Sequence, residues 1–190
     1  GGDVFVAKIN PAGNGLMYST FIGGANNDVG EGIALDTAGA AYIAGSTYSQ
    51  NFPLTSGAFQ TVLKGTYDAF VTKIDPSGSS LVYSTYLGGS GARSYARRIA
   101  VDDHGAAYLA GETSTPNFPT TAGAFKKTLA GTSDVFITKL DPSGNGLVYS
   151  TFLGGRDGDT PGDIVVAGDG TSYVTGYTFS PNFPTTRQTV

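Results

Sequence analysis

Three carboxylates stand within seven residues in GRDGDTPGD: Asp157, Asp159 and Asp163. Hard oxygen ligands at i, i+2 and i+6 could hold Ca²⁺, the one cofactor the sequence suggests, although the rest of a calcium-loop signature is missing. Asp28 occupies the point in its own repeat that Asp159 occupies in a later one. That recurrence favours a loop-stabilising or solvated role, since Asp side chains readily bond nearby backbone. A second cluster is Arg93, Tyr95, Arg97 and Arg98, a local basic patch built from the residue types enriched at binding hot spots. Tyr48 and Tyr177 lack identical counterparts in the other copies and are the further candidates for contact with a ligand. Hydrolysis of glycans would need two convergent carboxylates about 5–9.5 Å apart. Asp28, Glu31, Asp157, Asp159 and Asp163 are available, but their repetition singles out no pair. His104, the sole histidine, sits in the tight turn Asp102-Asp103-His104-Gly105 without visible partners and reads as an exposed turn residue. No catalytic residue is assigned, and the expectation is a protein that is not an enzyme.

What positions these residues is a threefold repeat. DVFVAKINPAGNGLMYSTFIGG begins at Asp3, DAFVTKIDPSGSSLVYSTYLGG at Asp68 and DVFITKLDPSGNGLVYSTFLGG at Asp134, a period of about 65 residues. Each copy reads as two strands rich in Val, Ile, Phe and Tyr. Asp75-Pro76-Ser77-Gly78 between them suits a type I turn, with Pro presetting φ and Asp bonding the backbone ahead. A second pair of strands follows each glycine-rich connection: Ile33–Asp36 with Ala40–Thr47, Ile99–Asp102 with Ala106–Thr113, Ile164–Ala167 with Ser172–Thr178. Asn-Phe-Pro then recurs at Asn51, Asn117 and Asn182. The unit is four antiparallel strands, apolar on both faces as for a covered sheet. Radial repetition of such sheets makes a β-propeller, and repeats run approximately 3–67, 68–133 and 134–190 within a single segment. Helix is expected only as short turns near Ser56–Val62 and Ala122–Thr128. Lys8, Lys73 and Lys139, like Tyr18, Tyr83 and Tyr149, recur once per copy, which marks scaffold roles between blades. Phe52, Phe118 and Phe183 read as anchors of the long loops, and so do Phe59 and Phe125.

Composition narrows the function. Charged residues are 14% of the chain and the net charge is −4 with pI near 4.7. A nucleic-acid partner is disfavoured, because it would need a basic face. The absence of cysteine excludes disulfide scaffolds, thiolate zinc sites and thiol catalysis. No apolar run reaches about 18 residues, so no membrane span is expected.

The order GG…D…G.GIA.D..G.AY.AG.T.S.NFP.T.GAF…DAF.TK.DPSG..L.YSTYLGG resembles the SBBP β-propeller repeat of bacterial surface and secreted proteins. The resemblance covers nearly the whole chain. It implies an all-β propeller and export from a bacterial cell to the medium or surface, and it carries over no catalytic residues.

The repeat is cut so that the chain opens with an outer hairpin and closes with an inner pair. About three blades are too few for a ring, which usually takes 4–8. The expected partners are therefore further blades, from a second copy or from a longer parent chain. Gln188-Thr189-Val190 stops short of the next outer hairpin, which favours an excerpt. Within a blade the long loops and the glycine-rich connections share one face, where a protein or glycan ligand is expected to bind. The turns on that face are expected to differ among copies, while the DPSG-type turns are expected to match.

Overall fold

The computed structural model describes residues 1–186, and the expectation for Gln188–Val190 lies outside them. The described residues form an all-β chain with no helix, and so none long and apolar enough to cross a membrane. The strands are β1 (Val4–Ile9), β2 (Leu16–Ile22), β3 (Asp28–Leu35), β4 (Ala41–Thr47), β5 (Asp68–Ile74), β6 (Leu81–Leu87), β7 (Ser94–Val101), β8 (Ala107–Thr113), β9 (Asp134–Leu140), β10 (Leu147–Leu153), β11 (Asp159–Val166) and β12 (Ser172–Thr178).

Two complete antiparallel blades result, β3-β4-β5-β6 and β7-β8-β9-β10, flanked by the two-stranded sheets β1-β2 and β11-β12. Each blade thus joins the inner pair of one sequence repeat to the outer hairpin of the next. The inner strands β3, β7 and β11 lie side by side, so the blades fan around a common edge. At Ser56–Val62 and Ala122–Thr128 the chain makes turns and bends without helix.

Central strands show why the sequence is apolar throughout. Every residue of β4 is buried, because sheet neighbours cover both of its edges and adjoining blades both of its faces. Phe70 and Phe136 lie over Gly45 and Gly111 of the adjacent strand, where a Cβ would collide with the ring. Both rings are fully buried, and each burial contributes about 2–3 kcal/mol. Phe52 and Phe118 of the Asn-Phe-Pro segments stack on them at 4.6 and 4.4 Å between centroids. These two anchor their loops as expected. Phe59 is half-buried against the same core, but Phe125 is 71% exposed and anchors nothing.

The recurring tyrosines hold blades together, whereas Lys73 and Lys139, expected to act between blades, tie the third strand of a blade to the turn after its own first strand. Lys73 bridges to Asp36 at 3.0 Å and Lys139 to Asp102 at 3.1 Å, each ammonium also lying over the Tyr42 or Tyr108 ring. Tyr18 and Tyr83 pack on Gly78 and Gly144 in the turn of the following blade. The two turns share a left-handed glycine, at φ 77 and 71, and an Asp that accepts backbone N–H groups.

Candidate functional site

Inner strands are bulged at one equivalent point each: Glu31 in β3, Arg97 in β7 and Gly162 in β11. A bulge puts two residues opposite one and re-aims a side chain. Here it turns Glu31 and Arg97 toward each other across the seam between two inner strands. Arg97 stands 2.7 Å from Glu112 and 3.8 Å from Glu31, and Glu112 also accepts a bond from Thr160 of β11 at 2.9 Å. Three inner strands are therefore tied through one guanidinium and one carboxylate. Burial disfavours the Arg97 charge, but Glu112 and Glu31 outweigh it and raise the group above its ordinary range.

Tyrosines continue the line outward. The Arg97 guanidinium lies 5.1 Å from the Tyr95 ring centroid, Tyr95 is 4.7 Å from Tyr67, and Tyr67 is 4.4 Å from Tyr48. Tyr67 donates its hydroxyl hydrogen bond to Tyr95. Burial first, then that bond, pushes the Tyr67 hydroxyl well above the usual phenol range, against the opposing pull of Arg93. Arg93 is exposed, and its backbone bridges to Tyr67. The result is a continuous file, Tyr48–Tyr67–Tyr95–Arg97, on the face of the long loops, with Arg93 beside it.

Four of the sequence candidates, Tyr48, Arg93, Tyr95 and Arg97, thus come together. Arg98 points elsewhere: its Nε bonds the Gly162 carbonyl at 2.9 Å in the neighbouring inner strand. Tyr177 lies apart on β12 and packs edge-on against Phe179. It is also not the counterpart of Tyr48. The N–H groups of Tyr48, Ser114 and Phe179 make the equivalent bond to Asn27, Arg93 and Gly158, so Phe179 is the matching residue. Tyr67, Glu112 and Glu31 complete the file although no local pattern groups them. Their one signal was departure from repetition: Glu112 stands where the other copies have Ser46 and Tyr177.

The proposed calcium ligands do not assemble. Asp159 is fully buried and accepts from Gly155 N–H at 2.8 Å, Ser180 Oγ at 3.0 Å and the Thr178 hydroxyl. Asp157 is half-exposed beside Arg156, and Asp163 faces solvent. Among the described residues no three His, Asp or Glu side chains gather as a metal site. Asp28 repeats the role of Asp159, accepting from Gly24 N–H and Ser49. These carboxylates hold the glycine-rich connection to the following loop.

The connections are also more alike than the sequence suggests. Asn51, Asn117 and Asn182 each accept an N–H from the connection preceding their own strand pair, at 2.8–2.9 Å in all three copies. A second recurring latch joins the outer hairpin, with different chemistry. Gln60 reaches Asp68 and the Gly88 N–H, whereas Lys126 reaches Asp134 and the Gly154 carbonyl. Asp134 and Asp159 both border Gly154, yet Lys126 and the Ala130 and Gly131 N–H groups occupy the oxygens of Asp134, and Gly155, Thr178 and Ser180 those of Asp159. His104 is exposed in its turn.

A family model described as the beta-propeller repeat SBBP matches residues 18–53 and 82–119. The chain carries SBBP repeats. Each matched stretch runs from the second strand of an outer hairpin, across the glycine-rich connection and the inner pair, to the Asn-Phe-Pro segment. The SBBP unit therefore spans the boundary between neighbouring blades, the same boundary that the Asn staples and the Asp28-type carboxylates secure in this chain. No curated protein matches it.

Proposed function

We propose that this chain is a non-catalytic, extracellular β-propeller scaffold that binds a protein partner through Tyr48, Arg93, Tyr95 and Arg97, which the buried Tyr67 ring aligns. One observation carries the reading: four large, amphipathic side chains from two blades form one file, preorganised by ring contacts and the Glu112 ion pair. Tyr and Arg so arranged lose little side-chain entropy on binding and suit the centre of an interface. The carboxylates nearby are engaged in ion pairs and backbone bonds, which argues against acid–base work, and the scaffold needs no cofactor. Export accords with the bacterial surface and secreted proteins in which such repeats are typical.

Photo-crosslinking from position 48 against proteins secreted by the source bacterium tests this. A discrete adduct, lost in Tyr95→Ala and Arg93→Ala while the melting temperature holds, is the expected result. The same aromatic file could stack on sugar rings, so a glycan array run in parallel decides the second reading. A glycan signal that Tyr95→Ala abolishes, with no protein adduct, would replace the protein partner by a carbohydrate.

A further inference from the structure

The two half blades are complementary parts of one blade. In both whole blades the third strand pairs with the second in the same register: Tyr42 opposite Lys73 and Gly45 opposite Phe70, Tyr108 opposite Lys139 and Gly111 opposite Phe136. Strand β12 carries the second-strand residues, Tyr173 and Gly176, and β1 carries the third-strand residues, Lys8 and Phe5. Among the described residues each of these strands is paired on one side only.

The empty side of β12 has the shape of a phenylalanine cage. A cavity of ≈ 270 Å³ there is lined by Val135, Leu153, Val174, Gly176 and Phe183. Their counterparts in the preceding repeat are Ala69, Leu87, Leu109, Gly111 and Phe118, which lie around the buried Phe136 ring. The ring that corresponds to Phe136 at the other end of the chain is Phe5. It is 71% exposed, as a core side chain is when its core lies elsewhere.

We propose that β1 of a second copy docks on β12, with Phe5 entering this cage over Gly176. The register sets Lys8 opposite Tyr173, Val6 opposite Thr175 and Val4 opposite Tyr177. Two further contacts fall into place. Lys8 comes over the Tyr173 ring as Lys73 and Lys139 come over theirs. Tyr149 meets Gly13, the turn glycine whose missing Cβ would have nothing within 4 Å among the described residues of the single chain, just as Tyr18 meets Gly78 and Tyr83 meets Gly144.

Two reciprocal dockings satisfy four unpaired strand edges. They close a ring of two whole blades from each copy and two composite blades, six in all, within the usual 4–8. What carries this is the fit between cage and ring, whatever sequence flanks the chain.

Sedimentation equilibrium of the 190-residue chain should give twice its 19.4 kDa mass. Phe5→Ala, which removes little from the chain's own core, should keep the β-sheet circular dichroism and weaken the dimer at least about 30-fold. Because the protein has no cysteine, strand register can be read directly. Mixing Lys8→Cys with Tyr173→Cys places two thiols on directly opposed residues, within disulfide reach. Oxidation should give a covalent heterodimer, and the mixture of Lys8→Cys with Val174→Cys should give far less. A single-chain mass at about 100 µM would overturn the proposal, since two reciprocal strand pairings with a buried ring in each should hold there. Equal cross-linking in the two mixtures would overturn it too.

Discussion

The Tyr83 ring lies against Gly144 of the following blade, so closely that a Cβ at Gly144 would collide with it. The glycine also holds φ 71, a conformation that suits residues without a side chain. Gly144→Ala should therefore cost about 2–4 kcal/mol, combining left-handed strain with an overpacked seam. Gly57→Ala, at φ 82 with nothing among the described residues near its missing Cβ, should lose only about 1 kcal/mol. Urea denaturation of the two variants checks the difference. Equal losses would mean that the seam yields to the methyl group.

Acid stability should depend on Asp102. Burial raises its carboxyl, but the Ala106 N–H, Lys139 and the Tyr108 hydroxyl outweigh burial and hold it below its ordinary 3.8. A carboxyl lowered by folding contributes stability that is present above the unfolded value and is lost as pH falls through the folded one. Stability of the parent protein should thus drop below about pH 4, and Asp102→Asn should flatten that part of the profile. At pH 7 the substitution should cost about 2 kcal/mol, the typical worth of charge-assisted bonds. Lys139 is raised by Tyr108 and Asp102 against burial, so its contribution holds below about pH 10.5 and fades above. Thermal melts from pH 2 to 8 test the acid limb.

Asp159 should behave as a structural staple. Asp159→Ala removes an acceptor from the Gly155 N–H, Ser180 and Thr178 in a fully buried place and should cost about 2–3 kcal/mol. Asp159→Ser should be milder, because Ser94 fills the equivalent point in the middle copy and bonds Thr113 at 2.9 Å. Neither EDTA nor millimolar calcium should move the melting temperature of the parent by more than about 1 °C. A calcium-dependent rise of several degrees would restore a metal site here.

Arg97 and Glu112 should be energetically coupled. Their side chains are about a third and a sixth exposed, between the surface and buried regimes. A double-mutant cycle with Arg97→Ala and Glu112→Ala should return about 1 kcal/mol of coupling. Arg97→Ala alone should cost more than the double variant relative to its background, because it leaves Glu112 partly buried and unpaired. The measurement is equilibrium unfolding of the four proteins at one salt concentration.

Local chemistry made much of this protein legible from its sequence. Alternating Val, Phe and Tyr set the strands, Asp-Pro-Ser-Gly set the turns, and a 65-residue period set the order in which they pair. Those signals are short-range or repeated, so they survive in one dimension. The anchoring of Phe52 and Phe118, and the seam roles of Tyr18 and Tyr83, followed from recurrence alone, whereas Lys73 and Lys139 recur for a bond inside their own blades. Tertiary structure decided the rest. Tyr48 and Tyr95 share a face only because Tyr67 lies between them, and no local pattern links residues from different blades. Three nearby carboxylates looked like a ligand set, yet a strand alternates its side chains and a buried Asp takes the backbone donors within reach. Phe5, Phe70 and Phe136 are the same residue in the same motif. One is exposed and two are buried, because burial is set by which strands stand alongside, and that is decided by the assembled blade.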